Sequence, residues 1–476
     1  MPVTNSNHFK SDVMNIKILR IIACLLILVV GFSACRKDEI DLPEPSGIQT
    51  KDFNNKVALE WMDFFLEIER FTPGYRPPAS ARNAAYIGLA GYEAAQPGMA
   101  NEYNSFSGYY FGLTLPKIEQ GATYHWPTCV HAAYATSFNR FFPTAPAAQL
   151  QKMFTLTQKF YNQFSAEVPQ DVFNRSKAFG EAVANVIFEW SKTDTYGHEA
   201  YLKNHDPNYV PPSGPGRWQP TYPDYTPALL PHWGKVRTFA ANQDDTVPTP
   251  IPYSTDQSSQ LYVQAKEVMV IVNNIKEGKN ATDRWIADFW SDDCPILTFT
   301  PAGRWIAITN QVVASRNVSL DVAVYAYAKV NMAICDAGIR CWNEKYKYNL
   351  QRPIDYIREV MPGQQNWNTM MCPDGSGAYF TPPFPAYPSG HATFGGAAAE
   401  VLTDVFGFNY SMIDRCHEGR TEFIGTPRQF RNFYEMAEEN GYSRIPIGVH
   451  FRMDAEAGVD LGYRIGRKVN NLPWKK

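Results

Sequence analysis

Pro388-Ser389-Gly390-His391-Ala392-Thr393-Phe394-Gly395-Gly396-Ala397-Ala398-Ala399 is the stretch on which the fold turns. After His391 the side chains are small apart from Phe394, which reads as an α-helix packed tightly on its neighbours. The amides at the start of such a helix have no intrahelical acceptor and sit at the positive end of its dipole. They favour an oxyanion, and Ser389 adds a hydroxyl beside them.

Working outward, cations flank this helix start on both sides. Lys345 and Arg352 lie seven residues apart, which on an α-helix is about 700°, so both are expected on one helical face. Pro353 removes a backbone donor and biases Arg352 out of helical geometry, placing the arginine where a helix ends and a pocket can open. Downstream, Pro446 suggests that Arg444 lies before or at a helix start. His450 and Asp454 are i,i+4 and are expected to share a helix face, where the carboxylate holds the imidazole in one tautomer. Three cations, one hydroxyl, a helix N-terminus and two histidines suit a tetrahedral oxyanion.

These blocks, Lys345-x6-Arg352-Pro353, Pro388-Ser389-Gly390-His391 and Ser443-Arg444-x5-His450-x3-Asp454, resemble the signature shared by vanadium-dependent haloperoxidases and type-2 phosphatidic acid phosphatases. The flanks, Asp336-Ala337-Gly338-Ile339 with Trp342 and Pro383-Phe384-Pro385-Ala386-Tyr387, resemble the chloroperoxidase branch. The resemblance is clear over roughly 290 to 465 and faint in the N-terminal half. It implies an all-α fold of two packed helical bundles with long Pro/aromatic-rich loops.

The resemblance also implies roles. As a haloperoxidase, the chain binds vanadate through Lys345, Arg352, Ser389, Gly390 and Arg444, with His450 as the single ligand to the metal. His391 acts as acid or base, and Lys345 polarises the oxidant, hydrogen peroxide, for attack by halide. Phe384 and Trp342 make a dry halide side, or are ordinary helix packing. An aspartate at Asp293, with Asp292 as competitor, pairs with Arg444. As an acid phosphatase, the chain needs no metal cofactor: a phosphate ester occupies the same pocket, His450 is the nucleophile oriented by Asp454, and His391 protonates the leaving oxygen. A third reading is a surface lipoprotein that holds an oxyanion without turnover; two histidines and Asp454 exceed what capture needs.

The rest of the chain sets the context. Lys17 and Arg20, an apolar run from Ile21 to Gly31, and Phe32-Ser33-Ala34-Cys35 resemble a bacterial lipoprotein signal over residues 1–34. Cys35 is then the lipidated first residue of an exported protein held by its N-terminal lipid at the cell envelope, on the periplasmic face or cell surface, with the outer membrane favoured. The eleven-residue apolar run is too short to span a bilayer. A net charge of −3 over 476 residues offers no basic surface for nucleic acid. Of the eight cysteines, Cys24 falls in the leader and Cys35 carries lipid, and the remaining six prescribe no disulfide framework in so long a chain.

An N-terminal helical region is expected over 35–255 and a C-terminal one, carrying the site, over 256–476. Apolar residues recur at helical spacing from Val57 to Leu66, Ala81 to Ala95 and Ala147 to Phe164. They recur again from Gln260 to Ile275, Asp283 to Trp290, Trp305 to Ala314, and Leu320 to Ile339 leading into Lys345. His125 and His131 lack metal-ligand spacing and read as structural. Between 201 and 252 prolines interleave with Trp218, Tyr222, Tyr225 and Trp233, so regular structure cannot persist. That stretch is a connector pinned by aromatics, or a rim over the pocket.

Overall fold

The computed structural model describes residues 47–372 and 379–476, so the expected leader and Cys35 lie outside the described residues. The first helices are α1 (Lys56–Phe71), α2 (Pro77–Ala95), α3 (Trp126–Phe141), α4 (Ala147–Glu167) and α5 (Gln170–Lys192). The periodicity translates directly: α1 buries Val57, Ala58, Trp61, Met62, Phe64, Phe65 and Ile68 along one stripe. Trp61 Nε1 donates to His131 Nδ1 at 3.0 Å, and burial holds His131 down near a pKa of about 3. It is a neutral core histidine, as expected.

The second series is α6 (Gln260–Lys276), α7 (Ala281–Phe289), α8 (Pro301–Arg316), α9 (Leu320–Tyr348), α10 (Pro353–Val360), α11 (Gly390–Phe406), α12 (Phe433–Tyr442) and α13 (Arg452–Asn470). The two strands among the described residues, β1 (Met412–Asp414) and β2 (Arg428–Phe430), form a short antiparallel pair with Met412 opposite Phe430. No helix of the described residues is long and apolar enough to cross a membrane.

The spine is α9, which packs on α2 and on α11, while α11 in turn packs on α12 and α13. Because α2 belongs to the first series, helices of both series meet on α9, and residues Ile48–Lys476 form one compact unit. The small-residue run of α11 is what allows its approach to α13. A Cβ at Gly396 would stand 2.4 Å from the Val459 carbonyl, and one at Gly462 would stand 2.4 Å from the Thr393 carbonyl. Backbone meets backbone there, and any side chain would force the helices apart.

Between 201 and 252 only single turns of 3₁₀-helix, Ala200–Leu202 and Trp233–Lys235, interrupt irregular chain. The stretch is held by polar side chains as well as aromatics. The Asp336 carboxylate accepts the amides of Phe239, Ala240 and Ala241 at 2.7–2.8 Å, and Arg340 donates to the carbonyls of Asp245 and Gln243. Both anchors sit on α9, and Trp218 is fully buried. Leu229 closes the stretch over the helix: its carbonyl accepts from Trp342 Nε1 and the Tyr346 hydroxyl, and its amide donates to the Pro383 carbonyl. The irregular chain thus borders the wall formed by Trp342.

Candidate oxyanion site

The site assembles where the N-terminus of α11 meets the end of α9 and the turn ahead of α13. Ser389 is the N-cap of α11, and its hydroxyl accepts from the Ala392 amide at 3.4 Å. The Ser389 amide donates to the Asp454 carbonyl at 2.8 Å, which locks α11 to α13 at the pocket. Gly390 lets Trp342 pack against the helix start, since a Cβ there would be 3.3 Å from the indole.

Lys345 and Arg352 converge, but not on one helical face. The helix ends at Tyr348 with Asn349 in the left-handed conformation, and Arg352 is the extended N-cap of α10. The expected shared face is therefore corrected: Pro353 starts a new helix, as its fixed φ favours, and the intervening turn carries Arg352 back to the pocket. Arg352 Nε donates to the Phe384 carbonyl at 2.8 Å, and Nη1 to the Val449 carbonyl at 2.9 Å and to His450 Nε2 at 3.1 Å. Lys345 Nζ donates to the carbonyls of Pro385, Ala386 and Pro388 at 2.8, 2.9 and 2.6 Å. Three short bonds to carbonyls are what an ammonium makes. To touch a bound oxyanion, Lys345 must share or release one of them.

Arg444 also departs from expectation. It does not begin a helix but follows the end of α12, in a turn that closes on itself: the amides of Val449 and His450 both donate to the Arg444 carbonyl. That turn needs Gly448, whose φ is +93°. It explains why arginine and histidine six positions apart reach one pocket. Likewise His450 and Asp454 do not share a helix. His450 precedes the N-cap, Phe451, and Asp454 Oδ2 accepts both the Phe451 amide and His450 Nδ1–H, each at 3.0 Å. The i,i+4 contact exists because the carboxylate caps α13. With Nδ1 donating, the Nε2 lone pair points away from Asp454 toward Arg352.

The expected pairing of Asp293 with Arg444 is not formed. Asp293 lies 3.4 Å from Arg76 Nη2, and Asp292 faces His417 and Arg304. Arg444 Nη1 instead donates to the Trp290 carbonyl at 2.9 Å. Among the described residues no carboxylate lies within ion-pairing distance of Lys345, Arg352 or Arg444. Burial lowers both arginines against the pull of more distant carboxylates, Arg352 to about 10 and Arg444, which Arg352 also repels, to about 9, and both stay charged at neutral pH. Lys345 is likewise pulled down by burial. His391 and His450 are held far down, first by burial and then by these cations, so both are neutral. His391 Nε2 and Arg444 Nε are buried without a protein partner, so they are groups an oxyanion would satisfy.

Trp342 and Phe384 pack against each other beside Lys345 and Arg352. Their rings are 4.7 Å apart, and Phe384 lies under both Lys345 Nζ (5.0 Å) and the Arg352 guanidinium (4.8 Å). His391, at 7% exposure, is more accessible than Lys345, Arg352, Arg444, His450 and Asp454, which are at 2% or below. Sequence reasoning missed Arg76 and the disulfide between Cys294 and Cys372, which ties the Asp293 segment to Met371, a neighbour of Arg444. Arg76-Pro77 repeats the N-cap arginine and N1 proline of Arg352-Pro353, a signal that could have found it.

Known proteins share much of this chain's sequence and fold. Residues 325–473 match the family described as the VCPO second helical-bundle domain. The chain is 24% identical to vanadium chloroperoxidase of Curvularia inaequalis, over 88% of this chain and 82% of that protein. It superposes on the crystal structure described as the first bacterial vanadium-dependent iodoperoxidase with a TM-score of 0.76 and 31% identity, covering 90% of this chain and 98% of that one. A holo-type bacterial vanadium-dependent chloroperoxidase shares the fold at a TM-score of 0.59 and 14% identity, over 83% and 91% of the two chains. With the similarity running the length of both chains and the oxyanion pocket at its centre, the protein belongs to the vanadium haloperoxidase family.

Proposed function

We propose that this protein binds vanadate and uses hydrogen peroxide to oxidise a halide, so that halide, peroxide and one proton yield a hypohalous acid and water. The observation that carries the reading is a buried trio of cations with no carboxylate within ion-pairing distance among the described residues, beside a histidine whose Nε2 lone pair is fixed by Asp454. Arg352, Arg444 and the Gly390 amide fit a tetrahedral oxyanion, and Lys345 adds charge from the side. His450 Nε2, now accepting from Arg352 and oriented through Asp454 on the other ring nitrogen, is set to ligate the metal.

Vanadate, when bound, supplies a Lewis acid that activates peroxide without changing its own oxidation state. The protein supplies the rest. His391 is neutral because burial and Arg444 disfavour its charged form, so Nε2 can take a proton from incoming peroxide and later return it to the departing oxygen. Trp342 and Phe384 keep water from the side where a halide would approach. The depth of the side chains favours small inorganic substrates over a phosphate ester with a bulky leaving group.

The test divides the metal-stripped protein between buffer and orthovanadate. Each half is assayed for iodide, bromide and chloride oxidation with hydrogen peroxide, and for aryl phosphate hydrolysis. The expected outcome is halide oxidation in the vanadate half only. Phosphate hydrolysis in the metal-free half, abolished by vanadate, would make the protein a phosphatase acting through His450; binding of vanadate with neither activity would leave it a non-catalytic oxyanion holder.

A further inference from the structure

A thioether stands against one of the pocket's arginines. The three nitrogens of Arg444 are used differently: Nη1 donates to the Trp290 carbonyl at 2.9 Å, Nη2 has the Met371 sulfur at 3.8 Å, and Nε is buried without a protein partner. Nε and Nη2 form the edge of a guanidinium that pairs with an oxyanion in two parallel bonds. Met371 therefore shares the edge that a bound oxyanion would use.

Thioether sulfur is a weak acceptor, so Nη2 keeps its donor largely available. An oxygen in the same place would take that donor outright. Nor can the sulfur withdraw far. Met371 is fully buried, the Met370 amide before it donates to the Ile447 carbonyl at 2.8 Å, and Cys372 after it is bonded to Cys294. Those two cysteines are already oxidised. The free thiol nearest in kind, Cys341, lies toward the Pro388 carbonyl on the lysine side, where burial keeps it protonated and unreactive.

We propose that Met371 is an oxidation site through which the protein limits its own turnover. Hypohalous acid formed in the pocket transfers its oxygen to the thioether. The sulfur–oxygen bond forms, the oxygen–halogen bond breaks, sulfur gives up two electrons to the halogen, and halide and a proton are released. The sulfoxide oxygen is a strong acceptor beside Nη2 and Nε, and Arg444 bonds to it in place of the oxyanion. The inference rests on the proposed halide oxidation.

The test runs vanadate-loaded protein on hydrogen peroxide with iodide, bromide and chloride in turn, and follows each methionine by peptide mass spectrometry. Controls receive peroxide without halide, or the hypohalous acid added from outside. During turnover Met371 should become sulfoxide ahead of the partly exposed Met269 and Met412, whereas added reagent should mark those two first. Halide oxidation that leaves Met371 intact, or that follows the order seen with added reagent, would overturn the proposal. So would equal sulfoxide at Met371 with peroxide alone, because hypohalous acid would then not be the oxidant. A second arm needs no turnover and compares Met371→Gln, which puts an amide oxygen against Arg444, with Met371→Leu, which has no acceptor. Orthovanadate affinity by calorimetry should be about tenfold lower in the glutamine variant, and equal affinities would overturn the capture of Arg444. Should Met371→Gln not fold, wild type carrying the Met371 sulfoxide is measured in its place, with undiminished affinity again overturning it. Absence of any halide oxidation would sink the proposed reaction instead, while the affinity comparison would still decide whether an acceptor at position 371 disarms Arg444.

Discussion

Arg304 and Arg444 are equally buried, yet their guanidinium groups shift in opposite directions. Burial pushes both down; at Arg304 it is outweighed by Asp414, with help from Asp292, and the pKa rises. At Arg444 the aspartates are too distant to compensate, Arg352 adds repulsion, and the value falls to about 9. The first cation is part of the architecture, because its charge is balanced within the fold. The second, with Lys345 and Arg352, is a charge that no carboxylate within ion-pairing distance balances among the described residues.

Deleting each arginine in turn puts this contrast at greatest risk. Arg304→Met leaves Asp414 and Asp292 buried without their cation and should cost about 3–5 kcal/mol in denaturant unfolding. Arg444→Met removes an uncompensated charge and should cost no more than about 1 kcal/mol in ligand-free protein, while orthovanadate affinity collapses. Equal losses of stability in the two variants would mean that Arg444 is structural too.

A smaller effect concerns the ligand that balances the pocket. Orthovanadate at a hundredfold excess over its Kd should stabilise the protein by about 2.7 kcal/mol, seen as a raised Tm. In His450→Ala the same vanadate concentration should raise Tm far less, because the nitrogen expected to ligate the metal is gone. Full stabilisation of that variant would remove His450 from the site.

The smallest effect belongs to a mirror-image group, a buried carboxylate without a cation. Among the described residues Glu93 accepts only from the Ser105 hydroxyl and the Phe106 amide, and burial raises its pKa to about 7. Its folded-state value lies above its unfolded one, so the folded protein binds more protons between about pH 4.5 and 7. The stability it contributes is present at low pH and is lost as pH rises through 7. Glu93→Gln should therefore flatten the decline between pH 5 and 8 by on the order of 1 kcal/mol, measured as the difference in unfolding free energy. An unchanged slope would place the proton elsewhere.

How much of this could be read from residues alone varies with the range of the interaction. The N-terminus of α11 was legible because its chemistry is local: a capping serine, a glycine and a run of small residues fall within twelve positions. The Lys345–Arg352 and His450–Asp454 pairs were legible for the wrong reason. Helical spacing placed each pair together, whereas a helix break at Asn349 and a capping contact at Phe451 bring them together in fact. The partner of Asp293 was misassigned because Arg76 lies more than two hundred residues away and no local pattern points from one to the other.

The helical class, the small-residue interface and the inventory of cations, hydroxyl and histidines are all written in the order of the residues, because periodicity, side-chain volume and charge are properties of short segments. Which of those charges are neutralised is settled only once the chain is folded. Arg304 and Arg444 look alike as residues, and what separates them is whether β1 and the Trp290–Asp293 segment bring a carboxylate close enough to outweigh burial. That is set by contacts between distant parts of the chain, and it distinguishes an arginine paired within the fold from one that is not.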